Sequence, residues 1–145
     1  MERIELAVGA YTFGARAEGP PDGDLVLLLH GFPETSYEWR HQLAALGAAG
    51  HRAVAPDQRG YSPGARPAAV AEYAVEHLVA DVGGFADALG ADRFHLVGHD
   101  WGGFVAWYAG GSFPGRVRTL TVVSTPHPVA FAAALRGTDQ QERSA

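Results

Sequence analysis

The sequence predicts an α/β fold in which a mostly parallel sheet carries helices on both faces. Three observations point to it. Leu25-Val26-Leu27-Leu28-Leu29 is a continuous apolar run, too short for a helix and bounded by turn residues, as a strand buried on both faces requires. From that run onward, strand-like and helix-like segments alternate, the pattern of strand–crossover–strand units. The 19 glycines and 9 prolines form no repeat or low-complexity tract and fall at the joints between periodic segments.

Each element has its own signal. Residues 3–8 and 10–17 read as two short strands joined by a turn at Gly9, a hairpin expected at one edge of the sheet. Residues 19–23 are a loop, followed by the buried run and then His30-Gly31. Residues 38–49 read as a helix closed by Gly50. Residues 52–55 are a short strand stopped by Pro56, and residues 57–67, with two glycines and two prolines, are a loop. Val75, Leu78, Val79, Val82, Phe85 and Leu89 recur at helical spacing, with Glu72, Glu76 and Asp87 at polar positions and Gly90 as a stop. Glu72 and Glu76 are most simply a solvated helix face. Residues 93–97 form a strand running straight into Gly98-His99-Asp100-Trp101-Gly102. Residues 104–109 are a helix, apolar nearly all round and therefore expected to be buried. Residues 117–123 are a further strand, and residues 131–136 begin a helix.

Composition narrows the function. The chain has 145 residues, 47% hydrophobic and 19% charged, enough for one domain with a real core. A net charge of −5 and the lack of a basic stretch with aromatics give nucleic-acid binding nothing to rest on. There are no cysteines, so disulfides and thiolate metal sites are excluded. The first residues carry no apolar signal-peptide core, and no apolar run approaches the roughly 20 residues of a membrane-spanning helix. A cytoplasmic protein with no membrane or nucleic-acid partner is the expectation.

In open α/β sheets, ligands sit at the carboxyl ends of the strands. Of the loops leaving such ends, residues 98–103 are the most informative. A Gly-x-nucleophile-x-Gly segment between strand and helix makes a sharp elbow that lifts one side chain above the sheet. Its flanking residues must be tiny because the helix packs close to the strand, and here they are Gly98 and Gly102. The raised residue is Asp100. A carboxylate needs no base to deprotonate it, and the start of the following helix favours its charge. It can attack an sp3 carbon and form an ester, which water must then hydrolyse with the help of a His base and that base's acid partner. An oxyanion hole would serve that second step. Read alone, the same segment also fits a tight strand–helix joint with a capping Asp.

Four motifs then occur in order: His30-Gly31-Phe32-Pro33-Glu34, Trp39-Arg40-His41-Gln42, Asp57-x-Arg59-Gly60-Tyr61-Ser62 and Gly98-His99-Asp100-Trp101-Gly102-Gly103. Together they resemble the epoxide hydrolase branch of the α/β-hydrolases, over nearly the whole chain. The resemblance implies that Asp100 is the alkylated nucleophile and that Phe32 and Trp101 supply the oxyanion hole through their backbone N–H groups. It also implies that His30, Gly31, Pro33, Gly98 and Gly102 are motif scaffold, with His30 bracing its loop. The Asp57 to Ser62 loop is expected to shape the scaffold. No metal and no cofactor are implied, and the expected partner is a small apolar electrophile. Haloalkane dehalogenases are similar but often carry Asn where Phe32 stands, and fluoroacetate dehalogenases tend to carry Arg where Trp101 stands. Some dehalogenases place an acid near the position of Ser124-Thr125. These departures favour an epoxide and leave a dehalogenase, or a non-catalytic ligand- or partner-binding remnant, as alternatives.

Other residues have plainer readings. Trp101 is open between cavity lining and packing. Trp107, Tyr108 and Trp39 are expected in the core. His95 and His99, four apart on a strand entering a turn, need not converge on a metal. His127 lies in a loop at a strand end. The His base and acid that the chemistry requires would follow later strands in the family, and none of the seven histidines sits in a late loop. Residues 1–145 are therefore expected to be the N-terminal part of a single α/β-hydrolase domain, truncated after the strand that follows the elbow helix. The lid and C-terminal strands would be absent, residues 137–143 would approach the lid, and the chain would lack turnover. The strand at residues 117–123 would be an open edge, an aggregation hazard.

Overall fold

The computed structural model describes residues 1–137. Its strands are β1 (Glu2–Val8), β2 (Tyr11–Glu18), β3 (Leu25–Leu29), β4 (Arg52–Pro56), β5 (Phe94–His99) and β6 (Val117–Val123). They form one sheet in the order β1-β2-β4-β3-β5-β6. β3 runs parallel to β4 and β5, and β5 parallel to β6, while the β1–β2 and β2–β4 pairings are antiparallel. This is the expected mostly parallel sheet with the hairpin at one edge, and β6 stands at the other.

The helices are α1 (Arg40–Ala48), α2 (Val75–Ala88), α3 (Trp101–Ser112) and α4 (Pro128–Leu135). The period-two alternation of β3 divides its side chains between two cores. Leu25, Leu27 and Leu29 join Phe13, Val54, Phe85, Leu96 and Val105 on the side of α2 and α3. Val26 and Leu28 join Trp39, Leu43, Ala53 and Ala55 on the side of α1. Each large apolar side chain so buried stabilises the fold by roughly 1.5–3 kcal/mol. None of the described helices is long and apolar enough to cross a membrane.

Several boundaries and environments differ from expectation. The helix expected from residue 38 opens with a 3-10 turn at Ser36–Trp39, and α1 follows it. α4 starts three residues early, at Pro128, whose fixed φ suits a first helical position. The elbow helix expected at 104–109 runs over Trp101–Ser112 and is buried along one side only. Gly102, Gly103, Val105, Ala106 and Ala109 lie against the rest of the fold because the close approach of helix to sheet admits only small residues. Trp101 and Tyr108 are left 59% and 42% exposed, so Tyr108 is not core. Trp39, at 6%, is core.

Glu72 is not a merely solvated residue. It accepts a hydrogen bond from Tyr11 Oη (3.3 Å) and pairs with Arg59 (3.3 Å), whereas Glu76 is exposed. Arg59 is buried and donates through Nε and Nη2 to both carboxylate oxygens of Asp81 on α2, at 2.8 and 2.7 Å. That fork ties the 57–67 loop to α2. Residues 138–143, expected to approach a lid, lie outside the described residues.

Candidate active site

Strand register brings the two motif loops together. Leu29 of β3 pairs with Gly98 of β5, so His30-Gly31-Phe32 leaves the sheet beside His99-Asp100-Trp101. Asp100 stands between β5 and α3 with φ 51° and ψ −120°. A non-glycine residue there carries roughly 1–3 kcal/mol of backbone strain, which its surroundings must offset. The Asp100 carbonyl accepts from Phe104 N–H (3.0 Å) and from Thr125 Oγ1 (2.8 Å). Thr125 is fixed in turn by the Trp107 indole N–H, which donates to its carbonyl at 3.1 Å.

Two glycine positions show how tightly the elbow is built. A Cβ on Gly31 would lie 2.7 Å from Asp100 Cβ and 3.1 Å from Asp100 Oδ1. A Cβ on Gly98 would run into the Gly102 carbonyl and stand 2.8 Å from Ala106 Cβ. Gly102 is pressed in the same way against the carbonyls of Leu29 and His30.

The Asp100 carboxylate is exposed, and backbone donors are aimed at it. Phe32 N–H donates to Oδ1 at 3.0 Å. The N–H groups of Phe32 and Trp101 hold this carboxyl below the usual carboxylate range, with a smaller contribution from His99. Asp100 is therefore an anion at neutral pH with its charge oriented. The Phe32–Pro33 peptide is cis, and Pro33 is exposed.

His30 is buried and tied into the scaffold. Its Nε2 accepts Gln58 N–H at 3.0 Å, which places the ring proton on Nδ1, the atom 2.9 Å from the Gly31 carbonyl that it donates to. Gln58 Nε2 closes the contact by donating to the His30 carbonyl at 2.6 Å. Burial pushes the His30 ring below its ordinary pKa, so it is held neutral. With both nitrogens engaged, it braces two loops together.

Two cavities flank Trp101. One, of about 210 Å³, is lined by His30, Phe32, Tyr61, Tyr73, Leu78 and Trp101. The other, of about 270 Å³, is lined by Asp100, Trp101, Phe104, Ser124, Thr125 and Pro126. Trp101 thus lines cavity on both sides. His127 packs edge-on to Trp107 beside a separate hollow next to Tyr108 and Val129. His95 and His99 have different partners: Thr119 Oγ1 lies 2.7 Å from His95 Nδ1, and Glu38 Oε1 lies 2.6 Å from His99 Nδ1.

The predicted residues Phe32, Asp100 and Trp101 thus meet at one point, with Gly31, Gly98 and Gly102 as the close-packed floor. Sequence reading gave no role to Glu38 or Thr125. Both reach the elbow from distant parts of the chain and belong to no local pattern.

A family model described as the alpha/beta hydrolase fold matches residues 24–140. Epoxide hydrolase 3 of Siraitia grosvenorii is 49% identical over 125 residues, 86% of this chain and 40% of its own length. Epoxide hydrolase A of Mycobacterium tuberculosis is 46% identical over 108 residues, 74% of this chain and 34% of its own. Among solved structures, an epoxide hydrolase from Vigna radiata superposes with a TM-score of 0.82 at 38% identity, covering 95% of this chain and 47% of that one. A structure reported among novel epoxide hydrolases from metagenomes of hot environments gives a TM-score of 0.88 at 36% identity, covering 95% and 47%. The chain spans less than half the length of each of these relatives.

Proposed function

The chain belongs to the α/β-hydrolase fold family, in its epoxide hydrolase-like branch, and from that premise we propose that Asp100 is the nucleophile of an ester-forming hydrolase acting on a small apolar epoxide. The observation that carries the reading is the ionised, exposed Asp100 carboxylate with Phe32 N–H on Oδ1. Oδ1 is engaged, so Oδ2 is the attacking atom. It forms a C–O bond to one epoxide carbon while that carbon's bond to the ring oxygen breaks, with the electron pair leaving on the oxygen and a proton donor completing the alcohol.

Oδ1 is then the ester carbonyl oxygen, which already accepts the Phe32 N–H, with the Trp101 N–H beside the same carboxyl group. When water adds to the ester, the negative charge develops on Oδ1, where those preorganised donors stabilise it. The apolar cavities beside Trp101 suit the hydrocarbon part of the substrate. The epoxide hydrolase names of the relatives favour an epoxide over a halide.

In the alkylation step solvent water, which reaches the exposed Asp100, gives its proton to the leaving oxygen, while hydrolysis of the ester requires a base for water, to which no described residue is assigned. The reaction proposed for these 145 residues themselves is one alkylation of Asp100. Incubation with a phenyl-substituted epoxide, followed by intact-mass and peptide mass spectrometry, tests it. A single adduct on Asp100, absent from D100N, is expected. An adduct elsewhere, or none, overturns the nucleophile assignment, and sustained diol release overturns the restriction to one event.

A further inference from the structure

Glu38, from outside the two loops that meet at Asp100, touches both of them with its carboxylate. It lies in the 3-10 turn Ser36–Trp39, whose own position is fixed. Ser36 N–H donates to Asp57 Oδ1 at 2.7 Å, and Trp39 is buried in the α1-side core. From there Glu38 Oε2 accepts Gly31 N–H at 3.0 Å, and Oε1 stands 2.6 Å from His99 Nδ1. The second approach is off the hydrogen-bond line and becomes an ion pair when His99 is protonated. The Glu38 side chain is only 17% exposed, so its contacts are poorly screened.

The two residues Glu38 holds are the immediate neighbours of the two that meet at the site. Gly31 precedes Phe32, whose N–H reaches Asp100, and His99 precedes Asp100 itself. The space between the loops leaves no room for even a Cβ on Gly31. The pairing of Leu29 with Gly98 brings the loops side by side, and Glu38 spans them from a third segment of the chain.

We propose that Glu38 is a positioning residue: its carboxylate clamps Gly31 to His99 and so sets the distance between the Phe32 N–H and the Asp100 carboxylate. This rests on the reading of Asp100 as nucleophile for its functional consequence, though not for the clamp. Nothing reacts at Glu38, which acts through Phe32 and His99. Removing it releases the Gly31 N–H and loosens the backbone that leads into the Phe32 N–H facing Asp100. An amide in its place keeps an acceptor for Gly31 N–H and loses the charge that faces His99.

The test uses the whole chain, isotopically labelled, as wild type, E38A, E38Q and the exposed-site control E76A. Amide spectra report Gly31 and Phe32, ring nitrogen shifts report His99, and mass spectrometry reports the alkylation rate at Asp100 with a phenyl-substituted epoxide. In E38A the Gly31 and Phe32 amide signals should move upfield, and alkylation should slow by about tenfold, since a small misplacement of a reacting pair costs that much or more. E38Q should keep the Gly31 signal, change the His99 ring shifts and react at an intermediate rate, while E76A should match wild type. Unmoved Gly31 and Phe32 signals in E38A overturn the proposal. If E38A does not fold, wild-type His99 shifts together with a wild-type rate in E38Q overturn it. A wild-type chain that is never alkylated removes the nucleophile assignment, and the amide and ring shifts still decide the clamp.

Discussion

Thr125 Oγ1 donates to the backbone carbonyl of Asp100 at 2.8 Å, joining the loop after β6 to the elbow after β5. Asp100 holds a positive φ, and this bond comes from outside its own helix, so it opposes relaxation of the strained residue. T125V removes the donor and keeps the shape. It should lower stability by about 1 kcal/mol and slow alkylation of Asp100, while T125S should restore both. Urea unfolding and adduct formation read the two effects. Equal alkylation by T125V and wild type would show that the elbow holds itself.

Steric room at the elbow gives a contrast between two glycines. G31A places a methyl 2.7 Å from Asp100 Cβ and 3.2 Å from His99 Nδ1, in a site walled by those two side chains. It should cost about 1–3 kcal/mol of stability and abolish detectable alkylation. G111A, in the last turn of α3 with nothing within 4 Å of the added Cβ, should instead gain up to about 0.5–1 kcal/mol. Thermal melts of the two variants in opposite directions are the expected result.

The Arg59–Asp81 fork is buried on both sides, at 6% side-chain exposure each. D81A removes the bidentate partner of a buried guanidinium, leaving it the longer contacts to Glu72, and should cost about 3–5 kcal/mol. E72A removes a partner that is 40% exposed and should cost less than about 1 kcal/mol. Denaturation midpoints that rank the two the other way would count against the fork as the tie between the 57–67 loop and α2.

Two groups respond to pH in ways that can be separated. The folded Asp100 carboxyl is depressed, so its contribution to stability is present above the unfolded carboxylate value and is lost as pH falls through the folded one. Alkylation needs the anion, so its rate should stay flat as pH is lowered to about 4 and fall only below that. The buried His30 ring is also depressed, but for a base the consequence differs. Below the ordinary value of 6.5, the unfolded chain binds a proton that the folded ring refuses, so stability declines as pH drops from there toward the folded value. Urea midpoints measured between about pH 7.5 and 5.5 should show this slope in wild type and a reduced one in H30Q.

Much of the fold was legible because its signals are local. The apolar run of β3, the helical spacing from Val75 to Leu89 and the glycines around Asp100 each constrain only their neighbours. Environments were less legible. Tyr108 sits on a helix apolar nearly all round, yet the approach of α3 to the sheet selects Gly102, Val105 and Ala106 for burial and leaves the tyrosine outside. Glu72 falls on the polar side of a helical pattern, yet a buried arginine from another loop turns toward it.

The sequence by itself determined the fold class, the order of elements and the placement of one aspartate on a strand–helix turn, since these follow from periodicity and turn chemistry along the chain. Only the tertiary structure decided what surrounds that aspartate. The pairing of Leu29 with Gly98 brings Phe32 N–H onto the carboxylate, and packing of the 36–39 turn and the loop after β6 delivers Glu38 and Thr125. Such contacts depend on how whole elements dock, and a hydrogen bond of about 3 Å is a narrower condition than any spacing of residue types can express.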